Sequence, residues 1–298
     1  MKRYFVGTLL FAAAILAGCG GGSSSSDDTG GGTAYAAAVS TSFSPTVAKD
    51  QATGAQDVPL HWVYAVNNGQ PITVSVSGVS ASLSVPSIEV KLAPTDLKRV
   101  ATISGPVSGD VSGTSYSGNV ALTVEDDLVQ SNGTTASSRE ALGIDLSLSA
   151  GGESGTVQGN VTVDHLSPPY EWFLDRSDLD QLAVGYTTTI SSSGVTNANI
   201  AITDASPIVV TNAPVTVTDR WTVVAKLDTL SVRGKAYTDV VQLTRETSLP
   251  DASGNLVPVT IQYWVAKGVG MVKGVGVYNI LNSADVVYEL TETNLTQD

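Results

Sequence analysis

Histidine, cysteine and carboxylate side chains carry most protein chemistry, and in this sequence they are few or scattered. The chain has two histidines and one cysteine in 298 residues. His61 and His165, with Asp164 beside the second, form the one histidine set that could hold a metal. Both stand where strands are expected to end, so the plainer expectation is surface or hydrogen-bonded histidines and no metal site. Serine is abundant, yet no Gly-x-Ser-x-Gly elbow occurs, and a Ser-His-Asp triad would have to recruit one of the two histidines. Glu125-Asp126-Asp127 and Asp175-x-x-Asp178-x-Asp180 are rich in oxygen ligands. Neither has the Asp-x-Asp-x-Asp-Gly loop and distal glutamate of a calcium site. A glycosidase needs two inward carboxylates roughly 5–10 Å apart, an arrangement that residue spacing does not disclose. Gly268-x-Gly270-x-x-Lys273 lacks the third glycine and the following helix of a phosphate-cradling loop. No catalytic residue, cofactor or metal is therefore assigned.

The aromatic side chains offer a different kind of chemistry. Residues 41–168 carry Phe43, Trp62, Tyr64 and Tyr116, whereas residues 169–298 carry Trp172, Trp221, Trp264, Phe173 and six tyrosines. If the second half curls around an apolar cavity, Trp172, Trp221, Trp264 and Tyr263 are the expected lining of a site for a hydrophobic ligand. Ordinary core packing is the competing reading, since aromatic rings dominate cores as readily as they line pockets.

The N-terminus supplies an address. Lys2 and Arg3 precede an apolar stretch from Phe5 to Ala17, and small residues lead to Cys19. Positive, then apolar, then small is the order of a secretory signal, and the apolar run is shorter than the roughly 20 residues of a membrane span. Residues 1–18 are read as a signal peptide. Leu16-Ala17-Gly18-Cys19 resembles the bacterial lipobox, which implies cleavage before a diacylated Cys19. Gly20 then stands where inner-membrane retention favours Asp, so in a Gram-negative host the resemblance implies an outer-membrane lipoprotein. Two or more acyl chains hold a protein stably to a bilayer where one does so only marginally.

Residues 19–40, with Gly-Gly-Gly-Ser-Ser-Ser-Ser-Asp-Asp-Thr-Gly-Gly-Gly-Thr at their centre, form a flexible tether with a reach of roughly 25 Å. Since the lone cysteine is the lipidation site, no disulfide stabilises the body. Of 15 basic residues, Lys2 and Arg3 leave with the signal, so 13 face 28 acidic ones. That balance argues against nucleic acid as a partner, and the acids are dispersed rather than gathered into a patch.

Beyond Ser40 the apolar residues recur with period two, as strands require. Ile72, Val74 and Val76 alternate with polar residues, and after Gly78 the phase shifts to Val79, Ala81, Leu83 and Val85, the mark of a bulge or turn. Further strands are expected at Ile88–Leu92, Asn119–Val124, Gly143–Leu148, Gly159–Asp164, Tyr186–Ile190, Asn199–Ile202, Val215–Val224, Leu227–Val232, Tyr237–Thr244, Val257–Val265, Val269–Val272, Gly276–Ile280 and Val286–Thr291. Lys267-Gly268 supplies a hairpin turn between two of them. One short helix is expected, with Ser177 as cap, Asp180 in its first turn, Leu179 and Leu182 inward and Gly185 closing it.

Two weak family likenesses complete the picture. Phe43-Ser44-Pro45, Thr53-Gly54-Ala55-Gln56-Asp57-Val58-Pro59-Leu60 and Ile72-Thr73-Val74 resemble the opening of bacterial Ig-like modules. Tyr263-Trp264-Val265-Ala266-Lys267-Gly268-Val269-Gly270-Met271-Val272-Lys273 is similar to an aromatic-x-Ala-x-Gly-Val-Gly-x-Val-Lys motif of uncharacterised bacterial lipoproteins, and it implies a hairpin of a curved antiparallel sheet without an associated activity.

The expectation is an all-β protein of two antiparallel domains, a sandwich over residues 41–168 and a curved sheet with one short helix over residues 169–298, parted at Pro168-Pro169. Its expected role is that of a non-enzymatic binding or scaffolding module anchored to the cell envelope. A carrier of a hydrophobic ligand and an unrecognised hydrolase are the alternatives.

Overall fold

The computed structural model describes residues 60–76, 79–93, 98–111, 114–131, 134–171, 173–176, 178–250, 256–277, 285–295 and 297. The signal peptide, Cys19, the tether and Trp172 lie outside them. Fifteen strands run in chain order: β1 (Leu60–Val66), β2 (Ile72–Val76), β3 (Val79–Leu83), β4 (Ser87–Ala93), β5 (Lys98–Val111), β6 (Thr114–Ser131), β7 (Thr134–Ala150), β8 (Glu153–Ser167), β9 (Tyr170–Glu171), β10 (Thr187–Ile202), β11 (Ile208–Val232), β12 (Lys235–Pro250), β13 (Leu256–Ala266), β14 (Gly270–Val277) and β15 (Val286–Thr293). All their pairings are antiparallel.

Twelve strands close on themselves. From β5 the order runs β4, β1, β15, β14, β13, β12, β11, β10, β8, β7 and β6, and β6 pairs again with β5. Closure removes the raw sheet edges that an open antiparallel sheet must otherwise protect. Length makes it feasible, because β5 is bonded to β6 along its whole course. Its other edge serves β4 from Lys98 to Ile103 and then β3 from Val107 to Val111. The β2–β3 hairpin thus lies off the ring, with Val76 opposite Val79. The expected phase shift falls between these two strands, and Gly78 itself lies outside the described residues.

Period-two alternation decides which residues meet inside. On β1, Leu60, Trp62, Tyr64 and Val66 are buried while the residues between them are half-buried. Register carries the same phase onward: Tyr64 faces Ile88 on one side and Leu290 on the other, and Tyr263 faces Leu243 and Gly274. Gly274 leaves the room that the Tyr288 ring takes, since a Cβ there would stand 3.3 Å from that ring. Two inward rings also anchor across the interior: Trp62 Nε1 donates to the Val269 carbonyl at 2.8 Å and the Tyr64 hydroxyl to the Met271 carbonyl at 3.0 Å. One hydrophobic core results, drawing on strands from both halves of the sequence.

The expectation of two domains, with an Ig-like sandwich first, is therefore corrected. Pro168-Pro169 falls between β8 and β10, which are neighbours in the sheet, and β1 pairs with β15. The aromatic-poor half supplies one arc of the barrel and the aromatic-rich half the other, so the composition shift marks two walls of one core. The expected helix is also corrected. Phe173–Asp175 form a 3₁₀ turn, and Gln181 and Tyr186 close further turns by donating to the Asp178 and Ala183 carbonyls. Among the described residues there is no α-helix. Four residues from Leu179 to Leu182 are too few to offset helix nucleation.

Expected strands that the sequence divides are continuous in the fold. Tyr186–Ile190 and Asn199–Ile202 belong almost wholly to β10, and Val215–Val224 and Leu227–Val232 both belong to β11, which carries a bulge between Val223 and Ala225. The Tyr263 to Lys273 hairpin forms as expected, with Ala266 opposite Gly270 and Gly268 at φ +74°, the conformation for which glycine suits a turn.

Candidate functional site

Several strands place an ionisable residue in the inward phase, where an apolar one would be expected. On β5, Arg99 shares a face with Ala101 and Ile103; on β6, Asp126 with Leu122 and Val124; on β7, Glu140 with Leu142 and Ile144. Register lines up Arg99, Asp126 and Glu140 side by side on three adjacent strands. On β11, Asp219 shares a face with Trp221 and Val223, and Arg245 on β12 lies opposite Trp221. The interior thus holds two guanidinium groups and three carboxyl groups.

Four of these form two pairs. Arg99 donates through Nε to Asp126 Oδ2 at 2.8 Å, and its Nη2 lies 2.8 Å from the same oxygen as an ion-pair contact. Arg245 donates through Nε to Asp219 Oδ2 at 2.7 Å, its Nη2 stands 2.7 Å from the same oxygen as an ion-pair contact, and the Tyr170 hydroxyl donates to that oxygen as well. Charges this deep persist only when paired. Burial works against the Arg245 cation, but the Asp219 carboxylate overrides it and holds the guanidinium well above its ordinary range. Burial, with the nearby carboxylates, raises the Tyr170 phenol well above its usual value.

Glu140 is the fifth member. Among the described residues no side chain hydrogen-bonds or ion-pairs with its carboxyl. Burial, reinforced by the charge of Asp126 and opposed by Arg245 and Arg99, pushes its carboxyl up to about 7. Although it faces inward, Glu140 keeps partial accessibility, as do its inward neighbours Val124, Leu142, Val161 and Val163. Partial accessibility at inward positions means that solvent reaches this stretch of the wall. The β6–β7–β8 wall therefore presents an apolar surface with a carboxyl group among its residues.

The opposite side of the cluster is aromatic. Phe173 and Trp221 stack with centroids 5.6 Å apart, Trp221 and Tyr263 lie tilted at 5.6 Å, and the Arg245 guanidinium sits 5.7 Å from the Trp221 ring centre. Phe173 belongs to the segment that joins β9 to β10. Tyr170 in β9 sits against Ser137 on β7, whereas Gly185 and Tyr186 bond to Val223 on β11. The segment thus spans the interval that β8 and β10 occupy in the sheet, on the inner side, with Phe173, Leu174 and Leu179 buried. Arg176, bonded to Asp178 and Glu171, and Lys267, 2.8 Å from Asp180, pin it in place. The acids at 175–180 that look like a calcium loop thus include two partners of basic side chains, Asp178 and Asp180.

Among the described residues, Ser192 Oγ, Asp219 Oδ1 and Trp221 Nε1 are buried polar atoms of this interior without a hydrogen-bond partner. A buried donor or acceptor left unpaired costs about 1–3 kcal/mol, and with all of these residues buried that cost falls on the fold itself.

Of the four expected lining residues, Trp221 and Tyr263 meet inside. Trp264 is corrected to the outer face of β13: it follows Tyr263 in a strand, so its side chain points the other way, where Lys273 covers its ring at 5.7 Å. His61 bonds to Glu89 at 3.0 Å on β4, while His165 is exposed on β8, which is not a neighbour of β1. Asp164 is held by Arg139, Thr162 and Asn197. Among the described residues no three His, Cys, Asp or Glu side chains are grouped to hold a metal. Of Glu125-Asp126-Asp127, only Asp126 turns inward; Glu125 pairs with Lys98 and Asp127 with Arg139.

The fold and this interior define a closed antiparallel β-barrel with an ionic and aromatic lumen. No protein-family model matches the chain, and no curated protein matches it. The crystal structure of a beta-barrel-like protein of a domain of unknown function, DUF1849, from Brucella abortus is similar to it, with a TM-score of 0.36 and 9% identity over 80% of this chain and 98% of that one.

Proposed function

We propose that the protein is a lipid-anchored binding protein of the bacterial cell envelope that holds a small ligand inside its barrel. The observation that carries this reading is the inward Glu140 carboxyl beside partly accessible Val124, Leu142, Val161 and Val163. A barrel of this size provides an interior wide enough for a ligand, and sites of this kind combine an apolar wall with a few fixed polar groups. Anchoring through Cys19 and the tether keeps the barrel beside a bilayer, where amphiphilic ligands are concentrated. Scaffolding of a partner protein remains an alternative that draws on the anchor alone.

The hydrolase reading rests on the same carboxyl, because general acid catalysis works best in a group that titrates near neutrality. Arg99 already occupies Asp126 and Arg245 occupies Asp219, so among the described residues no second free carboxylate stands beside Glu140 to act as base or nucleophile. Binding is therefore the better account.

Native mass spectrometry of the protein isolated from its own envelope checks the proposal. A small molecule retained at one copy per chain is expected, and it should be lost when Leu142→Trp fills the lumen wall. A chain that carries nothing, and binds no apolar fluorescent probe, would end the reading.

A further inference from the structure

Among the described residues the charged groups inside the barrel do not balance. Arg99 and Arg245 each engage a carboxylate, and Glu140 is a third acid with no ion-pair partner among the described residues. The charged and titratable groups that face it come from five strands: Arg99 of β5, Asp126 of β6, Tyr170 of β9, Asp219 of β11 and Arg245 of β12. An anionic head group placed here would meet three acids and two guanidiniums already engaged. A cationic head group would complete the set.

Hydrogen-bonding capacity narrows the class. Glu140, the partly accessible carboxyl of the set, is purely an acceptor when ionised. A primary ammonium offers three N–H donors, whereas a quaternary ammonium offers none. Beside Glu140 the wall of Val124, Leu142, Val161 and Val163 can contact only an apolar chain.

We propose that the lumen takes an amphiphile with a primary ammonium head, its nitrogen against the Glu140 carboxylate and its alkyl chain along Val124, Leu142, Val161 and Val163. The proposal rests on the binding reading above and names the ligand class for that site. Pairing with the ammonium requires Glu140 to be ionised, so protons compete with the ligand. With the free carboxyl titrating at about 7, binding strengthens as pH rises through neutrality, while the ammonium stays charged.

The test is isothermal titration of the full chain carrying Cys19→Ser, which has no acyl anchor and needs no detergent. The probes are dodecylammonium, dodecanol and dodecanoate, all below their micellar concentrations. At pH 8 dodecylammonium should bind one per chain and at least tenfold more tightly than the other two. Its affinity should fall about thirtyfold at pH 5.5, while that of dodecanol stays level. Glu140→Gln should abolish the preference for the ammonium and keep dodecanol binding, which also reports that the variant is folded. Equal or tighter binding of dodecanol or dodecanoate, or a preference unchanged by pH, overturns the ammonium proposal and leaves the binding reading standing. Failure of all three probes to bind overturns both.

Discussion

One oxygen of Asp219 accepts the Nε–H of Arg245 at 2.7 Å and lies 2.7 Å from its Nη2, while the other oxygen of the same carboxylate has no partner among the described residues. The pair is buried, with both side chains almost wholly shielded from solvent. Asp219→Asn should destabilise the barrel by about 3–5 kcal/mol, because it strands a buried cation. Replacing the pair together, as Asp219→Leu with Arg245→Met, should recover most of that loss. Urea unfolding of the three proteins checks both statements.

Tyr170 joins the same oxygen from the start of the segment that crosses the lumen. Tyr170→Phe keeps the ring and removes the donor, so it should cost about 2 kcal/mol, the range for a hydrogen bond to a charged group. The loss should be much smaller when Asp219 and Arg245 are already apolar. A double-mutant cycle in urea measures the coupling.

Glu140 should make stability depend on pH in a direction opposite to that of most carboxylates. Its folded value of about 7 lies above the ordinary 4.5, so between these values the folded chain binds the proton more tightly than the unfolded chain. Stability from this group is full below 4.5 and is lost as pH rises to 7. Glu140→Gln should remove that slope and leave the protein about 2–3 kcal/mol more stable than the unsubstituted chain at pH 8. Subtracting the two stability profiles isolates the effect from acids such as Asp164, which its partners Thr162, Asn197 and Arg139 hold low against the pull of burial.

Cys19→Ser should release the protein from membranes, since no other acylation site exists in a chain with one cysteine. Membrane fractionation with mass spectrometry of the N-terminal peptide checks this. An unmodified Cys19 in membrane-bound material would remove the anchor from the proposed function.

Strand content was largely legible in the sequence because alternation is local: β4, β13 and β15 lie nearly where their apolar residues repeat. Closure was not legible. It depends on β5 having length enough to meet β4, β3 and β6, a property of register between distant segments. The segment from Ser191 to Asn197 hid the continuity of β10, because serine, glycine and asparagine there break the apolar rhythm while backbone pairing continues on both sides. The lumen cluster had a signal that went unused. Arg99, Glu140, Asp219 and Arg245 each stand in step with inward apolar residues of their own strand, and a charge in that phase must find a partner inside. Asp126 was noticed only as one of three neighbouring acids, although the strand turns it away from the other two. Trp264 was misplaced by grouping aromatics by type instead of by parity with Tyr263.

The pairing of β1 with β15 has a consequence for how the molecule is made. Trp62 lies opposite Thr293, so the last seam of the ring joins segments more than two hundred residues apart. Such a seam forms late, because loop-closure entropy must be overcome before the contact rewards it. If the chain is exported as proposed, a polypeptide that has not yet delivered Val286–Thr293 cannot lock into its final shape, and the delay keeps it translocatable until the whole of it has arrived on the far side.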